Sequence, residues 1–436
     1  MSKSRPFLLL ALIVLAGLGI GTWALARTIK QPPPTVAGSI PTSLAIPMPP
    51  TPLPPEGVLA ALPPVETMKL IHPPPVQKAI ILYARLVGDA GYYLLDPDTE
   101  KEIRLEPFPP DQGAGSPGAT MRVSPTGRRI LYTLFNNMEP PKHLGIGSVW
   151  TMNPDGTDKR MLAGSDELSY PVNAIWSPDG EQIAYLRFPD PLAASEGKVD
   201  PTNVELWVMN ADGSEQRKVA HLPPIEHIYG TNGSMQWLLD DHIYIVTHLT
   251  SSGDWLRINP HTGEITRLME GVQPQDIVIS PDTRWIVAGD KISEEKIVAL
   301  GRQPLHLRAE MAWDWTGEHV AYIQAPYPYG DQSGREVGIW VRDLHTGQET
   351  MVAPLDPDMA LHSRLYWSPD GRMLLYEVYE GGNEGLYVCW IDSGACRLVV
   401  PSPPEDQYGI KHGVGFIAWV PVMNEHLRSE EQGGKP

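Results

Sequence analysis

The chain has 436 residues, 42% of them hydrophobic, with 46 Pro, 40 Gly, thirteen Trp and sixteen Tyr against only five Phe. This is enough apolar material for a large core and excludes disorder of the whole, and the Pro and Gly content excludes a body of long helices. A net charge of −18 argues against nucleic acid as a partner, because phosphate recognition needs a surface excess of Lys and Arg.

Lys3 and Arg5 precede an uncharged apolar run over residues 7–26, about the twenty residues that a bilayer core requires. The run predicts a single transmembrane helix serving as a signal anchor, with residues 1–6 cytoplasmic and everything after Arg27 outside. A cleaved signal peptide is the alternative, since Ala24, Leu25 and Ala26 form an A-x-A-like site. In both cases the bulk of the chain is exported. Residues 27–75 are rich in Pro and read as an extended, semi-rigid linker of up to about 3.1 Å per residue. The folded body is expected over residues 76–422, followed by a flexible tail over 423–436.

Within the body one pattern recurs. Residues 176–185 read WSPDGEQIAY and residues 367–376 read WSPDGRMLLY, with diluted copies at 123–132, 237–246, 279–288 and 313–322. Most spacings are about forty to sixty residues, in or just beyond the range of propeller blades, and the step from 279 to 313 is shorter. Each copy predicts a strand ending near Trp, a Ser-Pro-Asp-Gly turn and a second apolar strand. Pro presets the first turn dihedral, Asp bonds its own backbone and Gly accepts positive φ. A second half follows, clearest at residues 204–220, as another strand, an Asp-Gly turn and a fourth strand. It recurs at 148–162, 254–268, 296–308 in degraded form, 338–353 and 385–400.

These units make six complete blades, and the ends of the body supply one more. Residues 78–85 resemble a second strand and 91–105 a third and fourth, whereas residues 415–421 (GFIAWVP) resemble a first strand with nothing after it. The expectation is therefore an all-β, seven-bladed β-propeller, with six blades as the alternative, closed by N-terminal strands plus one C-terminal strand. Closure removes the free edges of an open sheet. Cys389 and Cys396 flank a turn between two strands of one hairpin, and they are candidates for a disulfide in an oxidising compartment; two buried thiols are the alternative.

The repeat WSPDGxxIAY followed by LWVMNADG resembles that of TolB-type propellers over nearly all of residues 76–422. Similar repeats occur in the propeller domains of prolyl-oligopeptidase and dipeptidyl-peptidase relatives. The resemblance implies the fold and leaves activity open, because such propellers include both binding proteins and enzyme domains.

Antiparallel order puts all the short turns on one face and the long loops, residues 106–120, 134–147, 187–203, 221–234, 324–337, 354–364 and 401–414, on the other. Loops carry function more often than scaffold, so the long-loop face is the expected binding surface. Its candidate ligand contacts are His221, His227, Tyr229 and Tyr327, together with Tyr329, His362, Tyr408 and His412. The recurring Trp176, Trp237, Trp313, Trp367 and Trp419 read as packing between blades, with a stacking platform as the alternative. No G-x-S-x-G elbow, H-E-x-x-H pair or P-loop occurs. The function expected is a non-catalytic, membrane-anchored binding module for a protein or cell-envelope component, without metal or cofactor. The alternatives are a polysaccharide lyase or glycosidase using converging His and carboxylates, and a regulatory propeller of a separately encoded peptidase.

Overall fold

The computed structural model describes residues 70–71, 75–85, 89–105, 121–136, 146–223, 235–247, 253–272, 277–283, 286–288, 311–324, 336–361, 363–379, 384–403 and 413–423. The apolar run 7–26, most of the Pro-rich segment, the tail beyond residue 423 and the degraded half-unit at 296–308 lie outside the described residues. Among the described residues, no helix is long and apolar enough to cross a membrane.

Strands β1 (Val76–Arg85), β2 (Gly91–Leu95) and β3 (Glu102–Arg104) begin the first sheet. Sheet 2 holds β4 (Arg122–Val123), β5 (Ile130–Asn136), β6 (Ile146–Met152) and β7 (Arg160–Ala163). Sheet 3 holds β8 (Ser169–Trp176), β9 (Gln182–Pro189), β10 (Glu205–Asn210) and β11 (Arg217–His221). Sheet 4 holds β12 (Met235–Trp237), β13 (Ile243–Val246), β14 (Gly253–Ile258) and β15 (Ile265–Val272). Of sheet 5 the described strands are β16 (Ile277–Ile279) and β17 (Ile286–Ala288). Sheet 6 holds β18 (Met311–Trp313), β19 (His319–Gln324), β20 (Gly338–Asp343) and β21 (Glu349–Pro354). Sheet 7 holds β22 (Ser363–Trp367), β23 (Met373–Val378), β24 (Gly385–Trp390) and β25 (Ala395–Pro401). The last strand, β26 (Val414–Met423), returns to sheet 1 and gives it the order β26-β1-β2-β3.

That return closes the chain on itself. β26 pairs antiparallel with β1 from Val76↔Met423 to Arg85↔Val414, and Leu82 stands opposite Ala418. Each sheet also abuts the next. Trp176 of sheet 3 donates its indole N–H to Arg122 O of sheet 2 at 3.0 Å, and Leu239 N, after β12, donates to Pro281 O, after β16, at 3.0 Å. Sheets 3 and 4 share one apolar core, as do sheets 6 and 7. Sheet 7 meets sheet 1 where Trp390 Nε1 donates to Asp98 Oδ1 at 3.2 Å and Arg397 pairs with Glu100.

The burial gradient follows from this stacking. Second strands are covered on both faces by neighbouring sheets, so β13 and β23 are buried at every position; β13 reads as an apolar run, and β23 does so except for Glu377. Fourth strands lie outermost: β3 is exposed throughout and β25 at most positions. The turns form through the chemistry that their residues dictate. Ser177 Oγ donates to Asp179 Oδ1 at 2.6 Å and accepts from Gln182 N at 2.9 Å, while Gly180 takes φ +75°. The Ser368–Asp370–Met373 contacts repeat this at 2.6 and 2.9 Å.

Two helical turns occur where only loops were expected. α1 (Pro191–Ser195) starts at Asp190, whose carboxylate accepts from Leu192 N and Ala193 N, both at 2.9 Å. α2 (Pro357–Leu361) follows Asp356 in the same way, with Pro at the first helical position. The two cysteines form a disulfide between directly paired positions of β24 and β25.

Candidate binding cavity

First strands of the sheets converge, and residues of these strands with the turns that follow line an open cavity of about 590 Å³. Ligand pockets generally fall between about 300 and 1,000 Å³. Residues of sheets 1 through 6 contribute to the wall. Its apolar part combines aliphatic side chains with five indoles: Trp176, Trp237, Trp313 and Trp419 end or punctuate four first strands, and Trp315 stands in the turn after β18. Trp176, Trp237 and Trp419 are nonetheless almost wholly covered by neighbouring sheets, so each indole both packs a core and presents a strip of ring to the cavity.

Three polar side chains interrupt this wall. Arg122 and Gln236 occupy the position just before the recurring Trp, where other repeats have Ile175 or Ala418. Part of Arg122 reaches the cavity, but enclosure by the surrounding sheets drives its guanidinium from the usual value down to about 10. It remains a cation at neutral pH. Asp314 is already engaged by its own turn, accepting from Thr316 Oγ1 at 2.7 Å and His319 N at 3.1 Å.

Beside the cavity, the turn after β12 departs from Ser-Pro-Asp-Gly and carries Asp240, Asp241 and His242 instead. Asp240 is buried and accepts from Tyr244 Oη at 2.9 Å and Arg257 Nη2 at 2.9 Å. Burial, reinforced by the Asp240 charge, holds the Tyr244 phenol above its ordinary range. Asp241 adopts φ +58°, accepts from Trp237 Nε1 at 3.0 Å and contacts His261 Nε2 at 2.8 Å. This network props the Trp237 wall rather than pointing a free group into the cavity.

The cavity lies at the end of the short turns. Of the residues expected on the long-loop face, His221 is described; His227, Tyr229, Tyr327, Tyr329, His362, Tyr408 and His412 lie outside the described residues. His221 ends β11, the outermost strand of sheet 3, opposite Glu205. Lys218 Nζ lies 2.9 Å from its Nε2 and Asn203 Oδ1 lies 2.8 Å from its Nδ1. An ammonium only donates, so Nε2 accepts and Nδ1 carries the proton. Among the described residues, no group of three or more His, Cys, Asp or Glu is placed to hold a metal ion.

No family model matches the chain. A stretch of 102 residues is 32% identical to the Tol-Pal system protein TolB of Anaeromyxobacter dehalogenans (strain 2CP-C), covering 23% of this chain and 19% of that protein. The repeats are TolB-like. The match reaches about a fifth of the TolB relative's length. Solved structures with a similar course include TolB from Acinetobacter baumannii, at 16% identity and TM-score 0.36, covering 78% of this chain and 83% of that one. The β-propeller domain of the Trilobed protease from Pyrococcus furiosus gives 14% identity and TM-score 0.38 over 64% and 84% of the two chains. An oligogalacturonate lyase in complex with manganese gives 13% and 0.30 over 70% and 84%. With TM-scores this low, the TolB-like propeller stands on its own strand pairing and repeats.

Proposed function

We propose that this chain is a seven-bladed, TolB-like propeller held outside the cytoplasm by residues 7–26 and the Pro-rich linker, and that it binds a protein or cell-envelope ligand without transforming it. The blade count is supported by the succession of seven sheets and the return of β26 to β1. The observation that carries the binding role is the Trp-walled cavity with Arg122 and Gln236 at its inner positions. Flat indoles offer stacking and apolar surface at low entropic cost, and the Gln236 amide, which can both donate and accept, orients an extended segment with free backbone groups.

The test is capture of an envelope component on the immobilised full chain, compared between two sets of variants. Trp315→Ala, a turn residue on the cavity wall, is expected to weaken retention at least tenfold. His227→Ala with Tyr229→Ala, on the long-loop side, is expected to leave it unchanged. Loss through the long-loop pair with full retention by Trp315→Ala contradicts the cavity reading, and turnover of a polysaccharide by the wild-type chain contradicts the non-catalytic one.

A further inference from the structure

The recurring Trp residues of the cavity wall differ in what their indole N–H groups hold. Trp176 donates to Arg122 O at 3.0 Å and Trp237 to Asp241 Oδ1 at 3.0 Å, so the rings from sheets 3 and 4 are tied in place. Trp419 of sheet 1 and Trp313 of sheet 6 line the same cavity, and among the described residues the indole N–H of each is buried and meets no acceptor. Trp419 is 6% exposed and Trp313 is half-buried. Trp367 of sheet 7 has the same unpaired donor, but its ring packs in the core between sheets 6 and 7.

A buried donor without an acceptor carries its full desolvation cost, which an acceptor brought by a ligand removes. The same asymmetry decides which rings are free to move. Tilting Trp176 or Trp237 toward the cavity breaks a hydrogen bond, whereas tilting Trp313 or Trp419 breaks none. The wall therefore has a fixed side and a side whose donors are unspent. An indole N–H only donates, so an acceptor oxygen is what satisfies it, and an extended peptide presents one carbonyl at every residue. We propose that Trp313 and Trp419 are specificity-determining residues of the cavity, which turn their N–H groups onto carbonyl oxygens of a bound peptide segment. The proposal rests on the cavity being the binding site. Trp176 and Trp237 supply apolar surface without changing partners.

The experiment replaces single tryptophans of the full chain with benzothienylalanine, which keeps the fused ring and puts sulfur where the N–H stood. Two probes are titrated and followed by nuclear magnetic resonance: capped trialanine, which offers carbonyls, and cyclohexane, which has no acceptor. In the unsubstituted chain, trialanine is expected to move the indole proton signals of Trp313 and Trp419 downfield. Replacement at either residue is expected to weaken trialanine binding about tenfold and to leave cyclohexane binding unchanged. The unfolding midpoint is expected not to fall, because the folded chain loses no hydrogen bond. Replacement at Trp367, the unpaired donor packed between sheets 6 and 7, is expected to alter neither affinity. Absence of trialanine binding, binding with both signals unmoved, an affinity indifferent to both replacements, an equal loss at Trp367, or a lowered midpoint at Trp313 or Trp419 overturns the proposal. Retention of an envelope component that still depends on Trp315 would then leave the binding role standing without these donors.

Discussion

Leu82 and Ala418 face one another in adjacent antiparallel strands, one from each end of the described chain. A sheet assembled from both termini ties the first sheet to the last, and the cavity depends on it, because Trp419 and Ile417 of β26 complete the wall. Long-range pairing of this kind carries a loop-closure cost that local hairpins avoid, so side contacts that hold β26 in place matter more than their number suggests.

Gly127 is the tightest of those contacts. It turns at φ +67° against β26, and a Cβ there would lie 1.6 Å from Pro421 O. Gly371 has the same turn position in sheet 7 and φ +71°, with nothing within 4 Å of a Cβ. Gly371→Ala should cost about 1–2 kcal/mol, the backbone term alone. Gly127→Ala should cost at least about 2 kcal/mol more, because backbone must move. Urea denaturation of the two variants measures the difference.

Asp240 and Arg257 form a buried pair with side-chain exposures of 2% and 13%. Asp240→Asn leaves the guanidinium without its counter-charge and should cost about 3–5 kcal/mol. Replacing both residues, as Asp240→Asn with Arg257→Met, should recover a large part of that loss. Additive costs in the double-mutant cycle would contradict the pairing.

Glu377 gives a pH signature. It lies in β23 opposite Arg364, is 9% exposed, and its carboxyl is raised above the ordinary value by burial, against the opposing pull of Arg364 and Tyr366. The folded state therefore keeps this proton to higher pH than the unfolded chain, whose Glu titrates near 4.3. The stability that protonated Glu377 contributes is present below that pH and is lost as pH rises through the folded value. Stability measured relative to Glu377→Gln should thus decline for the wild type as pH rises above the ordinary carboxyl range. A difference that stays flat or grows in the wild type's favour contradicts the assignment.

The disulfide staples a hairpin and not the ring. Its sequence separation is 7, so the loop-closure term is about 2 kcal/mol. Reduction should lower unfolding stability by about that amount and leave the near-ultraviolet spectrum of the tryptophans unchanged.

The repeat made most of the architecture legible, because Ser, Pro, Asp and Gly each act locally at turns such as Ser177 to Gly180 and Ser368 to Gly371. The closing strand was legible for the same reason: Trp419 sits in a first-strand pattern without a second strand after it. The helices α1 and α2 were not, since five residues after Asp-Pro carry no amphipathic period. The cavity was missed because its residues come from six sheets and share no local signal. Trp176 and Trp419 were read as packing, which they also do. A polar residue just before the Trp position, at Arg122 and Gln236, was the available clue, and it becomes meaningful once those strands are known to converge.

Hydrogen exchange followed residue by residue in the full chain tests the ring most directly. Amides of Ile80, Leu82 and Val420 are expected to be protected together and to exchange only with global unfolding. Rapid exchange of residues 414–423 while sheets 2 to 7 stay protected would show that β26 does not hold β1, and would contradict the closure on which the cavity wall depends.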